Sequence, residues 1–157
     1  MKILIAVEDN LYGKAISDYV AQNYWEKIPS FKVINVVPPL KYFIPVVTGV
    51  TDTRYIDVLE ERKRHGKSVV LNLGTALKQA FPKAPLEEVV VDGDPKSKIL
   101  DIAQEWQADL IVMGSHSRSD LERLFLGSVS LAVLSHATCS VTIVKLAKAS
   151  DTLPLPA

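Results

Sequence analysis

The sequence predicts an α/β fold, a doubly wound parallel sheet with helices on both faces. Three observations predict it. Short, continuous, β-branched apolar runs recur, as in strands buried on both faces. Between them lie stretches with apolar residues three and four apart, the spacing of amphipathic helices. The two kinds alternate strictly along the 157 residues, an order that gives parallel strands joined by right-handed crossovers.

The elements follow in order. Lys2 to Val7 is the first strand. Tyr12, Ile16, Tyr19, Val20 and Tyr24 mark a helix that Asp9 or Asn10 caps and Pro29 stops. Phe31 to Val37 is the second strand, closed by Pro38-Pro39. The stretch from Leu40 to Val50 is apolar but broken by Pro45 and Gly49. It reads as an irregular excursion, either a packed surface loop or a flap over a ligand or partner. A long helix opens at Asp52 or Thr53. Ile56, Leu59, Gly66, Val69, Val70, Leu73 and Leu77 hold its inner face, and Glu60 to Lys67 is a solvated charged stretch. Pro82 ends it.

Leu86 to Val91 is the third strand. Asp94-Pro95 starts a helix, with proline at the first helical position, and Ile99, Ile102, Ala103 and Trp106 line its buried face. Asp109 to Met113 is the fourth strand. About a dozen loop residues lead to Gly127-Ser128, where a helix begins, and Ser140 to Lys145 is the fifth strand. Residues 1–146 form one expected domain, and 147–157 read as a tail.

Composition narrows the function. Lysine plus arginine number 18, as do aspartate plus glutamate, so the formal net charge is zero. A neutral domain lacks the field that nucleic acid and anionic membrane binders carry, so neither is an expected partner. No apolar run is long enough to span a bilayer, and the first ten residues lack the pattern of a secretory leader. The single cysteine, Cys139, forms no internal bridge. A reducing, cytoplasmic location is therefore expected.

In such sheets ligands bind beyond the carboxyl ends of the strands, where strand order reverses. The loop after the first strand, Glu8-Asp9-Asn10, is acidic and lacks the glycines of a P-loop or dinucleotide fold. The loop after the fourth strand is different. Gly114 allows close backbone approach, Gly127 allows it again, and Ser128 and Ser130 stand at a helix start. The free amides of that helix end can hold an anion. Taken alone, Gly127-Ser128 reads first as an ordinary turn and helix cap, since glycine-serine turns are common.

These segments resemble the universal stress protein family over residues 1–145. The resemblance lies in Ile3 to Asn10, Val91-Asp-Gly-Asp-Pro95, Ala108 to Ser115, Gly127-Ser-Val-Ser130 and Cys139 to Lys145. Nucleotide-binding members carry G-x-x-G-x9-G-[ST]. Gly114, Ser117, Gly127 and Ser128 stand in that register, with serine in place of the second glycine.

The resemblance implies a five-stranded sheet in the order 3-2-1-4-5, of the adenine-nucleotide α-hydrolase type. It implies ATP or AMP as ligand, with magnesium only through the phosphates. Adenine would lie near Ala6, Val7 and Val36. Glu8, where the family usually has aspartate, would face adenine and ribose. Gly114, His116, Ser117, Gly127, Ser128, Val129 and Ser130 would surround ribose and phosphates. It also implies a homodimer paired through Val141, Thr142, Ile143 and Val144.

The remaining residues read more simply. His116 is either a ribose or phosphate contact or an exposed loop residue. His65 reads as solvated, and His136 suits the end of its helix. No histidines stand at metal-ligand spacing, so no protein-built metal site is expected. Cys139 reads as packing, as do Trp25 and Trp106. Asp94 reads as a cap, and Arg118 and Arg123 as solvated loop charges. No catalytic residue stands out, so ATP hydrolysis is expected to be slow at most. The expected function is a stress-response or regulatory module that binds nucleotide. The alternatives are a dimeric protein-interaction module without nucleotide, and, less favoured for want of a glycine-rich first loop, an enzyme acting at an α-phosphate.

Overall fold

The computed structural model describes residues 1–39, 52–115 (side chains from 56 onward) and 126–146. The stretch from Leu40 to Val50, His116, Ser117, Arg118, Arg123 and the tail 147–157 lie outside the described residues. The elements run β1 (Lys2–Ala6), α1 (Asn10–Gln22), β2 (Ser30–Val37), α2 (Asp52–Ala80), β3 (Leu86–Asp92), α3 (Pro95–Glu105), β4 (Leu110–Gly114), α4 (Ser128–His136) and β5 (Ser140–Val144).

All strand pairs are parallel, and the sheet order is β3-β2-β1-β4-β5. The chain builds leftward from β1 through β2 to β3, then crosses back to β4 and β5. The order therefore reverses between β1 and β4, which opens a crevice at their carboxyl ends.

Strand side chains alternate between faces, so the sheet has two cores. Ile3, Ile5, Val7, Phe31 and Val33 pack under α1 and α2, against Ile16, Val20, Val69, Leu73 and Leu77. Leu4, Ala6, Ile34, Ile111 and Met113 pack under α3 and α4, against Ile99, Ala103 and Val133. Ile3, Leu4 and Ile5 are fully buried, which is why β1 reads as one unbroken apolar run. Among the described residues no helix is long and apolar enough to cross a membrane.

Two local expectations are corrected. The first helix does not run to Pro29. It ends at Gln22, and Tyr24 is 89% exposed. Two side chains close it: Asn23 Nδ2 donates to the Tyr19 carbonyl (2.6 Å) and Trp25 Nε1 to the Val20 carbonyl (2.9 Å). These satisfy carbonyls that the last helical turn leaves open. Ile56 is exposed rather than packed, because this part of α2 lies beyond the sheet. Trp106 packs against the second core as expected, and is also the C-cap of α3. It is half-buried, with the ammonium groups of Lys2 and Lys32 at 5.7 and 5.3 Å from its ring centre.

Candidate functional site

A cleft of about 900 Å³ opens at the carboxyl ends of β1, β2 and β4, at the point of reversal. Its walls include Ala6, Val7, Glu8, Val36, Gly114, Gly127, Ser128, Val129 and Ser130. These are the expected site residues that lie among the described ones. The fold brings them together from three distant stretches of chain.

The β1 end of the cleft is organised by caps and by one buried amide. Asp9 is the N-cap of α1, and its carboxylate accepts from the Tyr12 amide at 2.9 Å. One of the two acids in the first loop is therefore engaged in starting a helix. Asn35, in the middle of β2, is 6% exposed. Its Nδ2 donates to the Val7 carbonyl at 2.8 Å and to the Glu8 carbonyl at 3.4 Å, which pins the turn that carries Glu8. Asn35 also lines the cleft. Sequence reasoning missed it. The available signal was a lone amide inside an apolar strand, since a buried polar side chain must find partners.

The β4 end is organised around Ser115. Its amide donates to the Val144 carbonyl (3.0 Å), its carbonyl accepts from the Gly127 amide (3.0 Å), and its hydroxyl shares a hydrogen bond with the Tyr12 hydroxyl (3.2 Å). Ser130, 1% exposed, donates its hydroxyl proton to the Gly114 carbonyl at 2.9 Å. The two glycine segments are thus tied together directly, and the Ser130 hydroxyl proton is already committed.

Gly114 has a different local reason from the expected one. A Cβ there would stand 2.7 Å from Cγ and Cε1 of Tyr12, and closer still to Cδ1. The neighbour that requires glycine is the Tyr12 ring on α1. Gly127 is the N-cap of α4 and makes no side-chain cap bond. Among the described residues nothing caps the first amides of α4, at Ser128, Val129 and Ser130, and all three residues line the cleft. They carry the partial positive charge of a helix start, which suits an anion.

The third wall comes from α2, through Val58, Glu61, Arg62 and His65. His65 is exposed, as expected, but stands at the rim of the cleft. Other candidates are structural. The Asp94 carboxylate caps α3, accepting from the Ser97 amide at 3.1 Å and the Ser97 hydroxyl at 2.9 Å. These bonds, the amide first, hold its pKa below the usual carboxylate value. Asp92 pairs with Lys63 at 3.0 Å, and that bond raises the lysine's pKa. Burial pushes the Cys139 thiol up, the opposite of a nucleophile's requirement. Among the described residues no three metal-ligating side chains come together.

Residues 1–145 match the profile of the universal stress protein family. The chain belongs to that family. Universal stress protein YxiE of Bacillus subtilis is 28% identical over 147 residues, covering 92% of this chain and 98% of that protein. Universal stress protein Sll1388 of Synechocystis is 47% identical over 53 residues, 34% of this chain. That matched stretch spans only about a third, 34%, of the Synechocystis protein's own length.

Among solved structures, universal stress protein UspA from Lactobacillus plantarum superposes with a TM-score of 0.72 at 25% identity, covering 92% of this chain and 97% of that one. Three more distant members share the fold. One is a universal stress protein in complex with cAMP (TM-score 0.59, 19% identity, 92% and 96% covered). Another, from Archaeoglobus fulgidus, is in complex with dAMP (0.63, 21%, 92% and 98%). The third, from Arabidopsis thaliana, has AMP bound (0.59, 20%, 98% and 95%).

Proposed function

We propose that this universal stress protein is a cytoplasmic regulatory module that holds ATP or AMP in the cleft, with little or no hydrolysis. The observation that carries the reading is the cleft at the strand reversal, lined by the start of α4, whose N-cap Gly127 offers no side-chain cap. Its donor set fits an adenine nucleotide. Backbone amides stand at one end for phosphates. Apolar side chains of Ala6, Val7 and Val36 stand at the other for the base, with the Glu8 carboxylate beside them for ribose hydroxyls. The cAMP, dAMP and AMP complexes of distant members support the same ligand class. Gly114, Gly127, Ser128, Val129 and Ser130 would surround the phosphates, together with His116 and Ser117. Magnesium would ride on those phosphates.

In the same proposal the protein works as a homodimer through the β5 edge at Val141, Thr142, Ile143 and Val144. Leu131 and Leu134 on neighbouring α4 are 54% and 47% exposed, and a partner on that edge would cover them. Light scattering at micromolar concentration tests this, and a monomer would refute it.

Thermal melts with millimolar ATP or AMP test the ligand. Ligand at a hundred times its Kd adds about 2.7 kcal/mol. For a domain of this size that raises Tm by roughly 5–10 °C. No shift with either nucleotide would end the nucleotide reading.

A further inference from the structure

The charged run Glu60 to Lys67 reads from sequence as a solvated face, yet one stripe of it turns to the cleft. Val58, Glu61, Arg62 and His65 stand at helical positions i, i+3, i+4 and i+7, and all four line the cleft. The stripe is not packed into the core, since Val58, Glu61 and His65 are exposed and Arg62 is only half-buried.

The seating of α2 explains its reach. A Cβ at Gly66 would overlap Asn35 Oδ1 and lie 3.0 Å from Asn35 Cγ, with Val90 at 3.4 Å, while Gly74 sits against Glu88. The helix therefore runs antiparallel to β2 and β3, and Gly66 is its close approach to the sheet. Beyond Asn35, β2 continues only to Val37, roughly 7 Å. Upstream of Gly66, α2 continues for 14 residues to Asp52 (66 minus 52), roughly 21 Å. About 14 Å of helix thus stands clear of the strand ends.

The geometry points to this overhanging stripe as the wall that reads the nucleoside end of the bound nucleotide, with Glu61 and His65 as its hydrogen-bonding groups. The inference rests on the nucleotide reading of the cleft. Two observations assign the nucleoside end. First, α2 packs on β2 and β3, whereas α4, with its anion-binding start, packs on α3 and β5. The two walls are therefore on opposite sides of the sheet's reversal. Second, Glu61 on α2 adds a carboxylate to the lining beside Arg62 and His65, while Glu8 lines it from the loop after β1. Carboxylates accept hydrogen bonds from ribose hydroxyls or an exocyclic amine. The His65 imidazole can donate or accept as the base edge requires.

The test is calorimetric titration of the full chain with AMP and, separately, adenosine. Glu61→Ala/His65→Ala should weaken both ligands by the same factor, about tenfold for two lost hydrogen bonds. Both side chains are exposed, so the ligand-free melting temperature should be unchanged. The control Glu60→Ala/Lys67→Ala alters exposed charges of the same helix outside the cleft and should leave both affinities unchanged. Wild-type affinity for AMP in the double variant overturns the inference and leaves the nucleotide reading standing. Loss of AMP with adenosine retained also overturns it, since the wall would then serve phosphate. A wild-type protein that binds neither ligand overturns both readings.

Discussion

Replacing Gly114 with alanine adds one methyl group, and the structure says what it meets. The new carbon would stand 2.7 Å from two Tyr12 ring carbons and nearer to a third, far inside the roughly 3.5–4 Å that carbon atoms prefer. The ring has little room to yield. Tyr12 is 7% exposed, its hydroxyl is bonded to Ser115, and its amide is held by the Asp9 cap. Relief must come from shifting α1 or breaking the Tyr12–Ser115 bond. Overpacking of this kind costs about 1–3 kcal/mol, and a lost buried hydrogen bond adds about 1 kcal/mol. Urea unfolding should therefore show a loss of about 2–4 kcal/mol. At an m-value near 2 kcal/mol/M the midpoint falls by about 1–2 M. Tyr12→Ala removes every ring atom the new carbon would meet, so adding Gly114→Ala to it should cost at least 1 kcal/mol less than in the parent, a coupling typical of residues in contact. The reasoning is refuted if Gly114→Ala unfolds like wild type yet loses nucleotide, because the glycine would then serve the ligand and not the ring.

Gly66→Ala should cost about 1–3 kcal/mol by the same overpacking, and Asn35→Ser in the same chain should recover part of it in urea melts. Ser130→Ala removes the hydroxyl that bonds the Gly114 carbonyl, and should lower stability by about 1 kcal/mol in the same assay. Asp94→Ala removes the α3 cap, at about 1 kcal/mol near pH 7. The Asp94 pKa is depressed in the folded protein, so its contribution is full above the unfolded pKa of about 4 and fades as pH falls through the folded value. The gap between wild type and Asp94→Ala should therefore close in acid, and a gap that persists at pH 2 would contradict the assignment.

Much of the fold is legible because it rests on local periodicity. A strand buried on both faces has to be apolar throughout, and Ile3, Leu4 and Ile5 are. An Asp-Pro pair before a helical pattern states its own cap, and Asp94 is that cap. Helix ends are less legible, because the closure of α1 depends on Asn23 and Trp25 folding back rather than on Pro29. The site is legible in part, through its glycines and serines. Asn35 escaped because its importance lies in which carbonyls it reaches. The stripe on α2 escaped because a charged face looks the same whether it borders solvent or a cleft.

By itself, the sequence determined the number, kind and order of the elements and the two-sided burial of the sheet. These follow from hydrophobic spacing within a few turns or a single strand. Only the tertiary structure decided that Tyr12 covers Gly114 and bonds Ser115 across 103 positions of chain. It also decided that Gly66 seats α2 on Asn35, and that Glu61 and His65 line the cleft. These are contacts between segments remote in sequence, set by how strands and helices stack in space, and no local pattern encodes which remote side chain fills the gap that a glycine leaves.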